Sequence, residues 1–223
     1  MTSKQEGFTL VEIAIVLVII GLLLGGILKG QEMIAQAKIK NVVADFSGIS
    51  AAYYGYQDRY RAIPGDDPNA DTRWTSPTAA TKGNGDGVVA GWYNDTATQT
   101  LETHLWWDHL RRAGFVAGSG TIQPFNSLVG MIGVQTGNGG DGGTTPTIGA
   151  ALGGFVSLIV CSANLTDKIA IAVDTQMDDG AIGTGGVRGQ LHTTGPNPKI
   201  NSGADSSAYA ETGTNLYTLC RAL

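Results

Sequence analysis

Charge is scarce in this chain of 223 residues: 15% are Asp, Glu, Lys or Arg, against about 25% in an average soluble domain. The net charge of −5 supplies no broad basic face, so the composition carries no strong nucleic-acid signal. Arg59, Arg61 and Arg73 are the only arginines in the first half able to form a local basic patch. Histidine is nearly as rare. His104 and His109 stand five apart, which is not the i, i+4 spacing that puts two metal ligands on one helix face, and His192 is remote. The two cysteines, Cys161 and Cys220, have no partners at zinc spacing, and no Cys-x-x-Cys-His attaches a c-type haem. No Gly-x-Ser-x-Gly elbow and no P-loop is present. The sequence makes no case for an enzyme.

What the chain does have is one long apolar run. Phe8 to Leu28 contains a single charge, Glu12. As an α-helix this run is about 31 Å long, the thickness of the bilayer hydrocarbon. Lys29 follows directly. A secretory signal peptide has a shorter apolar stretch and then a small-residue cleavage site. Here helical patterning continues without a break from Gln31 to Tyr60. A simple signal anchor leaves two features unexplained: the acid inside the run and the Gly7–Phe8 junction before it.

The residues Gly7-Phe8-Thr9-Leu10-Val11-Glu12 resemble the processing site of type IV prepilins and pseudopilins. The resemblance implies a leader of residues 1–7, cut between Gly7 and Phe8 by a prepilin peptidase, with N-methylation of Phe8. Glu12 then becomes the fifth residue of the mature chain. Physical chemistry points the same way. A carboxylate at mid-bilayer costs about 2.5–3.5 kcal/mol, so an acid in such a run is a functional candidate by default. The α-amine of Phe8 in a neighbouring subunit, with a pKa of roughly 7.7–8.0, is a suitable counter-charge. Pairing the two would fix axial register, because either charge left alone is expensive. A Glu12 resting at headgroup depth is the plainer alternative.

Beyond the apolar run, Ala35, Ile39, Val42, Phe46, Ile49, Tyr53, Tyr56 and Tyr60 recur at steps of four and three, one apolar stripe on a helix. The terminal tyrosines suit a helix lying on a sheet, with hydroxyls reaching solvent or a backbone partner. Ile63-Pro64-Gly65 ends the helix. Phe8 to Tyr60 is thus expected to be one helix of about 80 Å. Many pilins carry a proline in or just after the apolar segment. Here none precedes Pro64, and Gly21, Gly25, Gly26 and Gly30 are the weak points instead.

The remainder is glycine-rich. Residues 66–100 read as an extended loop region, and Leu101–Ala113 as a helix with Leu101, Leu105, Trp106 and Leu110 inward. Ser127–Val134, Gly154–Cys161 and Leu216–Arg221 read as strands. Thr166–Asp179 is favoured as a helix, capped by Thr166 and stopped at Gly180. The segments 60–69, 105–115 and 174–180 resemble a set of bacterial prepilin-type proteins. The fold expected is α+β: a long N-terminal hydrophobic helix packed on a globular domain with a small antiparallel sheet. Domain boundaries fall at 1–7 (leader), 8–28 (membrane and polymerisation segment), 29–62 (amphipathic helix) and 63–223 (globular domain). In an exported protein Cys161 and Cys220 would pair, as the terminal disulfide loop of pilins does; two buried free thiols are the alternative.

Asn84-Gly85-Asp86-Gly87 is a weak calcium candidate through Asn84 and Asp86, with Asp66, Asp67 and Asp71 as possible further oxygens. It lacks the full ligand spacing, and a turn is the commoner use of such residues. Asp178-Asp179-Gly180 reads as a helix-ending turn, and Gly137–Gly143 as a mobile surface loop. Of the adjacent Trp106 and Trp107, one is expected in the core. No cofactor is required.

The function implied is a structural subunit of a type IV pilus-like filament. Its partners are other copies of itself or related pilins, a prepilin peptidase, an inner-membrane platform protein and an assembly ATPase. Membrane lipid surrounds the helix before assembly. The protein would reside in the bacterial inner membrane and then in a periplasmic or extracellular filament. The alternatives are a pseudopilin of a type II secretion system, or a membrane-tethered surface binding module that never polymerises.

Overall fold

The computed structural model describes residues 9–96, 100–140, 148–200, 203 and 208–223. It divides into two compact units, Met1–Lys38 and Ile39–Leu223. Helix α1 runs without interruption from Leu10 to Tyr60, through Gly21, Gly25, Gly26 and Gly30. It stops where Arg61 turns to a φ of 55°, three residues before Pro64, so a left-handed residue rather than the proline ends it. In the first unit the helix has no buried residue between Leu10 and Leu28; Leu10 is 90% and Leu22 73% exposed. It is the one helix among the described residues long and apolar enough to cross a membrane.

In the second unit the α1 stripe behaves as its spacing predicts. Ile39, Val42, Phe46, Ile49, Tyr53 and Tyr56 are buried, joined by Ala52. They share one core with Ile132, Val134, Val160, Leu165, Tyr217 and Leu219 of the sheet. Each fully buried large side chain of this kind contributes about 1.5–3 kcal/mol. The sheet has four antiparallel strands, β1 (Ile132–Thr136), β2 (Leu158–Thr166), β3 (Val187–Leu191) and β4 (Leu216–Ala222), in the order β1-β2-β4-β3. Helices α2 (Ala70–Arg73), α3 (Glu102–Arg112) and α4 (Asp167–Met177) complete the unit. The class is α+β with a small antiparallel sheet.

Several details differ from expectation. The region 66–100 contains the short helix α2. Helix α3 is buried on every side from Glu102 to Leu110, Trp106 and Trp107 both included, whereas Leu101 is only half-buried. Ser127–Met131 is not strand, because the Asn126 side chain takes the local backbone. Its Oδ1 accepts from the N–H groups of Leu128 (2.8 Å) and Gly130 (2.9 Å), and its Nδ2 donates to the Ala163 carbonyl (2.8 Å). Residues 154–157 are likewise outside β2, since Ala151 and Phe155 close a tight bridge before it. Strand β3 is an addition to the expected set: Val187-Arg188-Gly189-Gln190-Leu191 has too little β-branched character to read as a strand, and pairing with β4 overrides that. Gly137 and Gly139 are buried rather than on the surface, and a side chain at Gly139 would sit 2.7 Å from the Gly91 carbonyl. Gly142 and Gly143 lie outside the described residues. Helix α4 starts after Thr166 and stops before Gly180 as expected, but the Thr166 side chain makes no capping bond.

Candidate functional site

The N-terminal segment is the first candidate. Gly7 and Phe8, the expected processing residues, lie outside the described residues. At the start of α1, the Thr9 N–H and Thr9 hydroxyl both donate to Glu12 Oε2, each at 2.8 Å. The Glu12 N–H returns a bond to Thr9 Oγ1 at 3.3 Å. This reciprocal arrangement is a capping box, which satisfies otherwise unpaired donors of the first helical turn. Its Thr-x-x-Glu signature is present in the sequence, but a reading of Glu12 as the partner of a neighbouring amine passes over it. Glu12 therefore has an intramolecular task. A Cβ added at Gly21, Gly25, Gly26 or Gly30 would meet nothing within 4 Å. These glycines leave flat places on an exposed apolar rod, where another helix can approach closely.

The second candidate is the turn after α1. Gly65 has a φ of 86°, and a side chain there would lie 2.5 Å from the Glu102 carbonyl, so only glycine fits. Its N–H donates to His109 Nδ1 at 2.9 Å, which leaves the ring proton on Nε2 to donate to the Thr81 carbonyl at 2.8 Å. Burial pulls the His109 pKa down, only partly countered by Thr81. Asp67, fully buried, accepts from the Tyr56 hydroxyl at 2.6 Å, from the Asn69 N–H at 2.9 Å, and from Arg73. Burial alone would raise the Asp67 pKa, but Tyr56, Asn69 and Arg73 together outweigh it and hold the carboxyl below its ordinary value. Tyr56 thus reaches a carboxylate, not the solvent or backbone partner its position suggested. Arg73 also lies over the Tyr60 ring at 4.4 Å. The three arginines considered for a basic patch are thus dispersed in role: Arg73 is held here, Arg61 pairs with Asp58 at 3.5 Å, and Arg59 lies over Tyr60 at 5.2 Å.

Asp66, Asp86 and Glu102 bring one carboxylate oxygen each within 4.8 Å of one another. Asp67 and Asp71 do not join them: Asp67 holds Arg73, and Asp71 pairs with Lys82 at 3.3 Å. Asp66 Oδ1 accepts from the N–H groups of Gly85 (2.5 Å) and Asp86 (3.1 Å), and Oδ2 from that of Gly87 (2.7 Å). Glu102 Oε1 and Oε2 accept from the N–H groups of Asn84 (3.1 Å) and Ala90 (3.0 Å). Asn84 donates its amide to Asp86 Oδ2 at 2.8 Å. Burial raises the pKa of both Asp66 and Glu102, and the N–H bonds offset part of that rise. Asp66 pins residues 85–87 onto the turn after α1, and Glu102 pins Asn84 and Ala90 onto the start of α3.

On the sheet, Cys161 and Cys220 face each other directly across β2 and β4 and are joined by a disulfide, with Cα atoms 4.0 Å apart at a sequence separation of 59. His104 and His109 lie on the buried α3 but serve different carbonyls, those of Thr121 and Thr81.

A solvent-exposed apolar helix leading into a small disulfide-linked α+β unit defines a class of protein anchored or assembled through its N-terminus. Residues 2–28 match the family described as the prokaryotic N-terminal methylation motif, the signature of prepilin-type cleavage in type IV pilins and pseudopilins. The match covers the N-terminal segment, where the apolar run and Glu12 lie. No curated protein matches it.

Proposed function

We propose that this protein is a structural subunit of a type IV pilus-like filament, assembled through α1 after removal of residues 1–7. The observation that carries the reading is the stretch Leu10–Leu28, apolar, unburied and bearing one acid, at the position of the methylation motif. Before assembly lipid covers this stretch. In the filament, α1 helices of other copies replace the lipid, with Gly21, Gly25, Gly26 and Gly30 allowing close approach. Glu12 meets the α-amine of Phe8 in a neighbour. A prepilin peptidase, a platform protein and an assembly ATPase are the partners this requires. The function calls on no catalysis and no cofactor. We read the Asn84–Asp86 segment as a clasp rather than a calcium site, because its carboxylate oxygens already accept from N–H donors.

The capping box separates the two tasks of Glu12. Glu12→Gln keeps an acceptor for Thr9 but removes the charge; Thr9→Ala removes the cap but keeps the charge. Membrane insertion is expected to survive both, and filament yield to collapse only in Glu12→Gln. Normal filaments from Glu12→Gln would sink the assembly role. Mass and N-terminal sequence of protein sheared from the cell surface test the whole reading. A product starting at methylated Phe8 supports it; processed protein held only in the membrane fraction favours a secretion pseudopilin, and an intact Met1 a tethered binding module.

A further inference from the structure

A cleft of ≈ 440 Å³ opens beside the C-terminal turn of α3, lined by Trp74, Ser76, Thr78, Arg111, Arg112 and Ser119 among others. A second hollow of ≈ 330 Å³ adjoins it and shares Thr78, Arg112 and Ser119. The combined space is of small-ligand size, not the footprint of a polymer. Its wall carries two guanidinium groups and one carboxylate, Asp108, which leaves one positive charge in excess. Arg112 is committed: Nε donates to Asp108 at 2.6 Å and Nη1 to the Thr78 carbonyl at 2.9 Å. Arg111 is less so. Its Nη1 donates to the Gly120 carbonyl at 2.7 Å and its guanidinium lies 5.8 Å from the Trp107 ring, but its enclosed Nε has no acceptor among the described residues. Burial lowers the Arg111 pKa despite the nearby Asp108. A partly desolvated cation with unspent donors is a receptor for an oxyanion. The rest of the wall differs in kind: Trp74, whose ring Arg73 overlies at 5.2 Å, and Pro77 are apolar, and Ser76, Thr78 and Ser119 carry hydroxyls. A flat apolar surface edged by hydroxyl groups suits a sugar ring.

We propose that this cleft binds an acidic saccharide unit, a hexose-sized ring with one carboxylate, the oxyanion held at Arg111 and the ring against Trp74. The site lies within the second unit and does not depend on the filament reading. The test uses the full-length chain in non-ionic detergent at low ionic strength. Glucuronate is titrated while the Arg111 Nε–H and Trp74 indole resonances are followed, with glucose and inorganic sulfate as comparison probes. Glucuronate is expected to shift both resonances saturably, and both comparison probes to bind about tenfold or more weakly, the loss of one charged hydrogen bond or of the ring contact. Arg111→Gln should weaken glucuronate by about the same factor. Because Arg111 also supports the Gly120 backbone, Ser119→Glu, at an exposed position, is the second variant. It should abolish binding by repulsion while leaving the melting transition in place, and Ser119→Gln should bind normally. Absence of saturation at tens of millimolar, equal binding of glucose, or glucuronate binding by Ser119→Glu at wild-type strength would each overturn the proposal. Sulfate binding as tightly as glucuronate would overturn the assignment to a saccharide.

Discussion

Replacing Asp67 by alanine should cost the domain more than almost any other single polar change. The carboxylate is fully buried and serves three donors: the Tyr56 hydroxyl on α1, the Asn69 N–H, and Arg73 on α2, whose side chain is 25% exposed. Asp67→Ala leaves the Arg73 charge and the Tyr56 hydroxyl without their partner, a loss of about 3–5 kcal/mol for a broken buried pair. Tyr56→Phe removes one donor and leaves the ion pair, so about 1.5–3 kcal/mol is expected. If the three groups act as one network, the double variant should cost less than the sum. Urea unfolding of the full-length protein in non-ionic detergent, followed by tryptophan fluorescence, is the suitable assay. All four tryptophans (Trp74, Trp92, Trp106 and Trp107) lie beyond residue 39, so the signal reports the domain and not the apolar helix. Because the folded Asp67 pKa lies below its ordinary value, its contribution is complete above pH 3.8 and fades as pH falls below that point. An Asp67→Ala penalty under about 1 kcal/mol, the range of an exposed pair, would refute the reasoning.

Gly133→Ala should lower stability by about 3 kcal/mol, the upper end of overpacking, because its Cβ would fall 2.0 Å from the Tyr93 carbonyl; a melting curve reads the loss. Replacing Cys161 and Cys220 together by serine should remove about 4 kcal/mol in the chain-entropy account, and reduction of the wild type should shift the urea midpoint similarly. His109 is held neutral by burial with a lowered pKa, so stability is expected to fall as pH drops below 6.5. His192, also lowered by burial, acts with the same sign. Asp66 and Glu102, raised by burial, act with the opposite sign above their ordinary values. A His109→Gln variant with an unchanged midpoint-versus-pH slope between pH 7.5 and 5.5 would count against His109 as the sensor.

The α1 stripe is legible in the sequence because one periodicity governs it, and each step from Ile39 to Tyr56 brings a side chain back to the same core. Helix α4 is legible from Ile169, Val173 and Met177 with Gly180 beyond them. What escapes such a reading is set by side chains acting at a distance. Asn126 breaks the expected first strand by bonding its own loop and the middle of β2. Gln190 and Arg188 lie in a strand because β4 is beside them, not because they favour one. Glu102 reads as an ordinary acid and Asp66 as a possible further calcium oxygen, yet their partners are backbone N–H groups 12 to 21 positions away, which no spacing rule encodes. At the N-terminus the relation is reversed: Thr9 and Glu12 form a local motif, and the longer-range role suggested for Glu12 obscures it.

The strand order also imposes a timetable. β4 is last in chain order yet lies between β2 and β3 in the sheet. On the proposed reading, a chain threaded outward through a membrane from its anchored end delivers β1, β2, α4 and β3 first, and β3 then has no strand to pair with. Cys161 emerges 59 residues ahead of its partner. β1 and β2 can pair at once, but the four-stranded sheet closes only when residues 216–222 enter between β2 and β3, and on the proposed reading of an exported domain Cys161 is until then a lone thiol open to oxidants outside the cytoplasm.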